Sequence, residues 1–168
     1  MSRCEVCGLK WAWEVSVPEL DTSVFLIPGA KVKNGDERLV VLNRVAKSVI
    51  DSVRGENDEY VFVYRGRPIG TMNNNGWQEA RKRAGLTQVR VHDLKHTFGR
   101  RLRAAGVSFE DRQDLLGHRS GRITTHYSAA ELANLIEAAY KVCDAGSRKT
   151  PALVILKKQA PAPVAASA

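Results

Sequence analysis

The histidines are the residues whose spacing is best suited to chemistry. His92 and His96 are four residues apart, so they share one face of a helix. His118 follows a Leu-Gly pair, and His126 directly precedes Tyr127. Histidines in such an arrangement can move protons or bind a metal ion.

Zinc is the first metal to consider, because His-x-x-x-His on a helix supplies two ligands on one side. Asp93 stands where a zinc-protease helix carries glutamate, and no third ligand follows at a familiar spacing. We therefore expect no metal and no other cofactor. A metal-dependent hydrolase built on His92, His96 and His118 remains a lesser alternative.

Basic residues concentrate in the same stretch of chain. Segment 81–103 contains a single acid, Asp93, among eight cations. These cations are Arg81, Lys82, Arg83, Arg90, Lys95, Arg100, Arg101 and Arg103. The whole chain carries a formal charge of +8 and has a pI near 9.7. Such a balance predicts a polyanionic partner, nucleic acid first, although a solvated basic face is the alternative.

Length and composition limit the class of protein. The chain has 168 residues, of which 43% are hydrophobic and 26% charged, as in an ordinary globular domain. No apolar run approaches the ~18 residues of a membrane span, and the first residues lack the apolar core of a secretory signal. Three cysteines do not form a disulfide framework. We therefore expect a soluble cytoplasmic protein.

The patterns around these residues predict an α+β fold. Three short strands within residues 11–42 form a small antiparallel sheet, with Asn34-Gly35 as a turn. A helix over residues 44–54 follows, capped by Asn43 and carrying Val45, Val49 and Val53 on one stripe. Residues 60–64 form an extended piece, and residues 71–84 become helical towards their end.

Three further helices complete the predicted body. Their ranges are residues 92–105, ended by Gly106, then residues 108–116, ended by Gly117, and residues 130–142. An edge strand is predicted over 151–156, and the Pro/Ala-rich segment 158–168 reads as a mobile tail.

Three motifs in fixed order carry a family resemblance. They are Val91-His92-Asp93-Leu94-Lys95-His96-Thr97-Phe98, Leu115-Leu116-Gly117-His118 and Thr124-Thr125-His126-Tyr127. This set resembles the catalytic domain of the tyrosine recombinases, the phage integrase family. Lys33 before the strand 38–42 resembles the hairpin lysine of the family, and segment 5–11 resembles the segment that follows the first family arginine. The resemblance implies a mostly helical catalytic core with a three-stranded antiparallel sheet, spanning residues 1–157. It also implies that the first helix and the N-terminal DNA-binding domains are absent.

The resemblance implies a role for each matching residue. Tyr127 is the nucleophile that forms a 3′-phosphotyrosyl bond with DNA, and Lys33 is the general acid. His92 is the acid/base residue, whereas Lys95 and His118 bind the scissile phosphate. The predicted contacts to double-stranded DNA are Arg90, Arg100, Arg101, Arg119 and Arg122. Ordinary structural roles for Tyr127 and Lys33 are the alternatives, and His96 is expected to be structural.

Two departures from the family pattern bear on activity. The family has arginine at position 95, and lysine keeps the charge but lacks the planar fork that holds two phosphate oxygens. The first family arginine corresponds to Ser2. These departures predict impaired DNA cleavage, with a catalytically inactive DNA-binding remnant as the alternative. In the family, the helix equivalent to 130–142 docks onto a neighbouring protomer, so self-association through this helix is also predicted.

Overall fold

The computed structural model describes residues 3–118 and 128–143 and confirms the α+β fold with a small sheet near the N-terminus. Five strands and six α-helices lie in this part of the chain. The strands are β1 (Glu14–Val17), β2 (Thr22–Ile27), β3 (Arg38–Val41), β4 (Val63–Tyr64) and β5 (Arg67–Pro68). The helices are α1 (Arg3–Cys7), α2 (Arg44–Ser52), α3 (Asn75–Arg83), α4 (Val91–Ala104), α5 (Phe109–Leu116) and α6 (Ala129–Tyr140). The predicted edge strand 151–156 and the tail 158–168 lie outside the described residues.

The first three strands form one antiparallel sheet in the order β1-β2-β3, as predicted. The register pairs Val15 with Val24 and Leu26 with Leu39. The first strand is shorter than the alternation of residues 11–17 suggests, because residues 11–13 form a 3₁₀ turn. The backbone N–H of Trp11 donates to the carbonyl of Glu59 at 3.1 Å, so this segment bonds to a distant loop rather than to β2.

Helix α2 begins as predicted, with the Asn43 side chain accepting from the backbone N–H of Ala46 at 2.9 Å. Of the three valines on the predicted stripe, Val53 packs against the hydrophobic core. Val45 and Val49 are 53% and 47% exposed, whereas Ile50 is buried. Each residue turns a helix by ~100°, so a shift of the inward face by one position moves these valines to the surface.

A second, two-stranded sheet pairs β4 with β5. The sequence indicates only an extended piece here. The turn between the strands uses left-handed backbone at Arg65 and Gly66, with φ of 51° and 73°, which is the geometry of a tight hairpin. Helix α3 follows and contains no buried residue.

Among residues 3–118 and 128–143, two hydrophobic clusters stabilise the fold. The first lies between the three-stranded sheet and α2, and its buried members are Leu9, Phe25, Ile27, Val32, Leu42, Ile50 and Val61. The second joins α4 to α6 and to the 3₁₀ turn after α6, and its buried members are Leu102, Val107, Ala138 and Val142.

Helix α6 buries the predicted apolar face within its own chain. Leu132, Leu135 and Ala139 are buried, and Ile136 is partly buried. Self-association through the helix over 130–142 stays a prediction. None of the described helices combines the length and the apolar composition that crossing a lipid bilayer requires.

Candidate active site

Helix α4 begins with a charged cap that fixes its first turn. The Asp93 carboxylate accepts from the backbone N–H of Arg90 at 2.9 Å and from Nη2 of the same residue at 3.0 Å. The Arg90 guanidinium and backbone N–H hold the pKa of Asp93 at about 2. Asp93 is therefore ionised at neutral pH, and the Arg90 side chain, predicted to contact DNA, is 76% exposed but paired with it.

One face of α4 lines a pocket of about 350 Å³ between α4 and α5. The lining positions recur every three or four residues, which is the spacing of a single helical face. They are His92, Lys95, His96, Gly99, Arg100 and Arg103. The facing wall consists of Phe109, Arg112, Gln113, Leu116 and His118. The pocket is therefore rich in cationic and imidazole groups, and none of the described residues that line it carries a carboxylate.

The end of α5 brings His118 into this pocket. Ser108 caps the helix, and its side chain accepts from the backbone N–H of Asp111 at 3.0 Å. Gly117 adopts left-handed backbone with φ of 57°. The N–H of Gly117 donates to the carbonyl of Asp114, and that of His118 donates to the carbonyl of Gln113, both at 2.9 Å. This paired closure is a common way to end a helix, and it reverses the chain towards α4.

Burial and neighbouring positive charges lower the pKa values of two side chains in the pocket. Partial burial lowers the pKa of Lys95, and the nearby charge of Arg38 lowers it further, while Glu5 opposes the shift. Burial also lowers the pKa of His118, followed by the charges of Lys95 and Arg38. A bound anion would relieve this mutual repulsion, so the pocket favours a negatively charged ligand.

Arg38, which lies beside this pocket, was not predicted as a site residue from the sequence. Its Nη1 donates to Oε2 of Glu5 at 2.7 Å, and its Nη2 donates to the carbonyl of Leu116 at 2.6 Å. Arg38 and Glu5 are 9% and 4% exposed, so both charges are buried. The available signal was an arginine at the start of an apolar strand and a lone glutamate in the apolar segment 4–9.

The predicted site residues divide into three groups. His92, Lys95, His118 and Arg100 line the same pocket, although they come from distant motifs. Lys33 is exposed in the connection between β2 and β3, and Lys33 and Arg101 are not among the residues that line the pocket. Tyr127, Arg119 and Arg122 lie outside the described residues, as does Ser2.

Other lining residues were not in the predicted set. Arg103, Arg112 and Gln113 line the pocket without having been predicted as site residues. His96, expected to be structural, is exposed there, and its ring lies edge-to-face with that of His92 at a centroid distance of 4.7 Å. Across residues 3–118 and 128–143, no three His, Cys, Asp or Glu side chains are placed to share a metal ion.

Comparison with known proteins gives the class of protein. The sequence model of the phage integrase family matches residues 3–133. The chain therefore belongs to the phage integrase family, and the predicted resemblance to a tyrosine recombinase catalytic domain is confirmed.

The similar proteins include a phage integrase and Xer tyrosine recombinases. The integrase of Salmonella phage P22 is 28% identical over 155 residues, which cover 84% of this chain and 39% of the relative. The tyrosine recombinase XerA of Pyrococcus horikoshii is 27% identical, covering 82% of this chain and 48% of the relative. XerD of Mycobacterium tuberculosis is 32% identical, covering 62% and 38%. The chain thus spans less than half the length of these relatives, and no solved structure shows a significant match.

Proposed function

We propose that this chain acts on double-stranded DNA as a tyrosine recombinase, cleaving and rejoining one strand through Tyr127. The observation that carries the proposal is the pocket that gathers His92, Lys95 and His118 from two separate motifs. Membership of the phage integrase family supports the choice of DNA as the substrate.

The proposed chemistry needs no external energy source. The Tyr127 hydroxyl attacks the scissile phosphorus, and its proton passes to His92. A 3′-phosphotyrosyl bond forms as the bond from phosphorus to the 5′ oxygen breaks, and Lys33 protonates that oxygen. Lys95 and His118 stabilise the charge that develops on the non-bridging oxygens. Rejoining reverses these steps, with a 5′ hydroxyl as the nucleophile.

The pocket extends beyond the space that one phosphate needs. From His92 to Arg103 the face of α4 rises by eleven residue steps, which is about 16 Å at 1.5 Å per step. Arg100, Arg103 and Arg112 line the far part of the pocket. We propose that these arginines bind phosphates next to the scissile one. Arg90, Arg101, Arg119 and Arg122 remain proposed DNA contacts.

A second candidate function is DNA binding without cleavage. Lys95 favours it, because an ammonium group attracts a phosphate but cannot hold two of its oxygens in a fixed plane. The loss of one such transition-state donor lowers the rate by roughly 10²-fold. Under this alternative the same pocket binds the DNA backbone and no covalent intermediate forms.

A DNA duplex nicked next to the cleavage position separates the two candidates, because a short leaving strand diffuses away and traps the covalent intermediate. The substrate sequence would come from selection of bound duplexes. We expect a protein–DNA adduct on denaturing gels that is absent in Tyr127→Phe and forms roughly 10²-fold faster in Lys95→Arg. Lys82→Arg, on α3, is the matched control and should leave the rate unchanged.

The absence of an adduct from both the wild type and Lys95→Arg, at protein concentrations that saturate the DNA, would favour binding without cleavage. An adduct that persists in Tyr127→Phe would contradict the assigned nucleophile. If Lys95→Arg cleaves no faster than an active wild type, the lysine is not the cause of impaired cleavage.

A further inference from the structure

A single buried guanidinium connects three parts of the chain beside the pocket. Arg38 begins β3 and reaches Glu5 of α1 at 2.7 Å and the carbonyl of Leu116, the last residue of α5, at 2.6 Å. Its two partners are 33 and 78 residues away in sequence. Side-chain exposures of 10% for Arg38 and 2% for Glu5 remove this ion pair almost entirely from water.

The contact with Leu116 lies at the C-terminal end of α5. The last carbonyls of a helix have no partner within the helix and carry partial negative charge. Arg38 supplies a cation and an N–H donor to one of these carbonyls. His118 is only two residues further along, so the position of the Leu116 carbonyl limits where the imidazole can lie.

Gly117 and Arg38 are sterically matched. A β-carbon placed on Gly117 would collide with the guanidinium of Arg38. Glycine therefore serves twice at this position, since it also adopts the left-handed backbone that ends α5. The turn that carries His118 is closed directly against Arg38.

The positive charge of Arg38 also affects side chains of the pocket. It lowers the pKa of both Lys95 and His118, although Glu5 opposes the shift at Lys95. Arg38 is not among the residues that line the pocket, so it acts from behind the pocket wall.

We propose that Arg38 is a positioning residue of the phosphate pocket, whose forked contact with Glu5 and the Leu116 carbonyl sets the place of His118. The inference rests on the proposed function for its consequence in DNA binding, but the geometry of His118 can be tested without DNA. A lysine at position 38 keeps the charge and can reach only one of the two partners in a fixed direction.

Arg38→Lys therefore tests the forked contact rather than the charge. The full chain labelled with ¹⁵N gives imidazole signals from its four histidines, which single histidine substitutions assign. We expect Arg38→Lys to shift or broaden the His118 signal and to weaken binding of a nicked duplex about tenfold, the loss expected for one well-placed contact. Arg54→Lys is the matched control, because Arg54 joins Glu14 in a similar forked contact, at 3.0 and 2.9 Å, and neither residue is among those that line the pocket. It should leave both readouts unchanged.

An unchanged His118 signal in folded Arg38→Lys would overturn the proposal, whatever happens to DNA binding. If circular dichroism shows that Arg38→Lys is unfolded, Glu5→Gln decides in its place, since it weakens the same contact from the other end. An unchanged His118 signal in that variant would equally overturn it. A shifted His118 signal together with a wild type that binds no duplex would support the role of Arg38 and contradict the proposed function.

Discussion

At the scale of single residues, the candidate site is defined by its excess of positive charge. His118 is held by a turn on one wall, while His92 and Lys95 project from the other. Burial and the neighbouring cations disfavour a proton on His118, so the imidazole is mostly neutral in the free protein at pH 7. A phosphate in the pocket would reverse this preference, because its negative charge favours the imidazolium.

This reversal predicts a pH dependence of DNA binding. The pKa of His118 lies below 6.5 in the free protein and should rise when phosphate binds. Binding then takes up a proton, so affinity increases as the pH falls through the window between the free and bound pKa values. Each unit of pKa rise corresponds to about tenfold in affinity. Fluorescence anisotropy between pH 5.5 and pH 8 measures this dependence.

His118→Gln provides the control, because glutamine keeps an N–H donor but does not titrate in this range. We expect the pH dependence to become shallower in this variant. Wild type and His118→Gln curves that run parallel across the whole range would contradict a phosphate contact at His118.

At the scale of elements, the ends of α4 and α5 illustrate two uses of glycine. Gly106 and Gly117 both have left-handed backbone, with φ of 72° and 57°. A β-carbon on Gly106 would meet no atom within 4 Å, whereas one on Gly117 would meet the Arg38 guanidinium. The two positions therefore share the backbone constraint and differ only in what surrounds them.

Alanine at each position separates these effects. Gly106→Ala should cost ~1–2 kcal/mol of unfolding free energy, the strain of left-handed backbone with a side chain. Gly117→Ala should cost ~3 kcal/mol more, because displacing Arg38 breaks its buried ion pair with Glu5. Urea unfolding monitored by circular dichroism gives both values. Equal losses would show that Arg38 can move aside without penalty.

Most elements could be predicted from sequence because their signals are local. Ser108 and Gly117 bound α5 as the capping pattern indicates, and Asn43 caps α2. The hairpin β4–β5 could not be predicted, since its turn at Arg65-Gly66 lies between strands of only two residues each. The inward face of α2 depends on the offset of the helix against the sheet, which valine spacing alone does not contain.

The candidate site, like the fold, could be predicted from the sequence only where the signal is local. His92, Lys95 and His118 could be found because each lies in a recognisable motif, and the two motif-bearing elements pack together. Arg38 could not be found, because its partners are 33 and 78 residues away and no local pattern links them. Arg103 and Arg112 face the pocket only because of how α4 and α5 pack, so composition identified a basic segment but not which basic residues line the pocket.

At the scale of the whole molecule, the described part of the chain packs around two hydrophobic clusters. The buried ion pair of Arg38 and Glu5 lies where β3 meets α5. The sheet and α2 surround one cluster, and α4 and α6 surround the other. Helices α5 and α6 both contact β3, so the wall of the pocket that carries His118 rests directly on the sheet. This arrangement explains how a site assembled from distant motifs can keep a defined shape.

The central claim is that the pocket between α4 and α5 binds a DNA phosphate. Its most direct test is to follow the backbone amide signals of ¹⁵N-labelled protein by NMR while a short duplex is added. We expect the largest shifts at residues 92–103 and at Gly117 and His118, and we expect high salt to abolish them. Shifts concentrated on the basic helix α3, which contributes none of the residues that line the pocket, with the signals of residues 92–103, 117 and 118 unmoved, would contradict it.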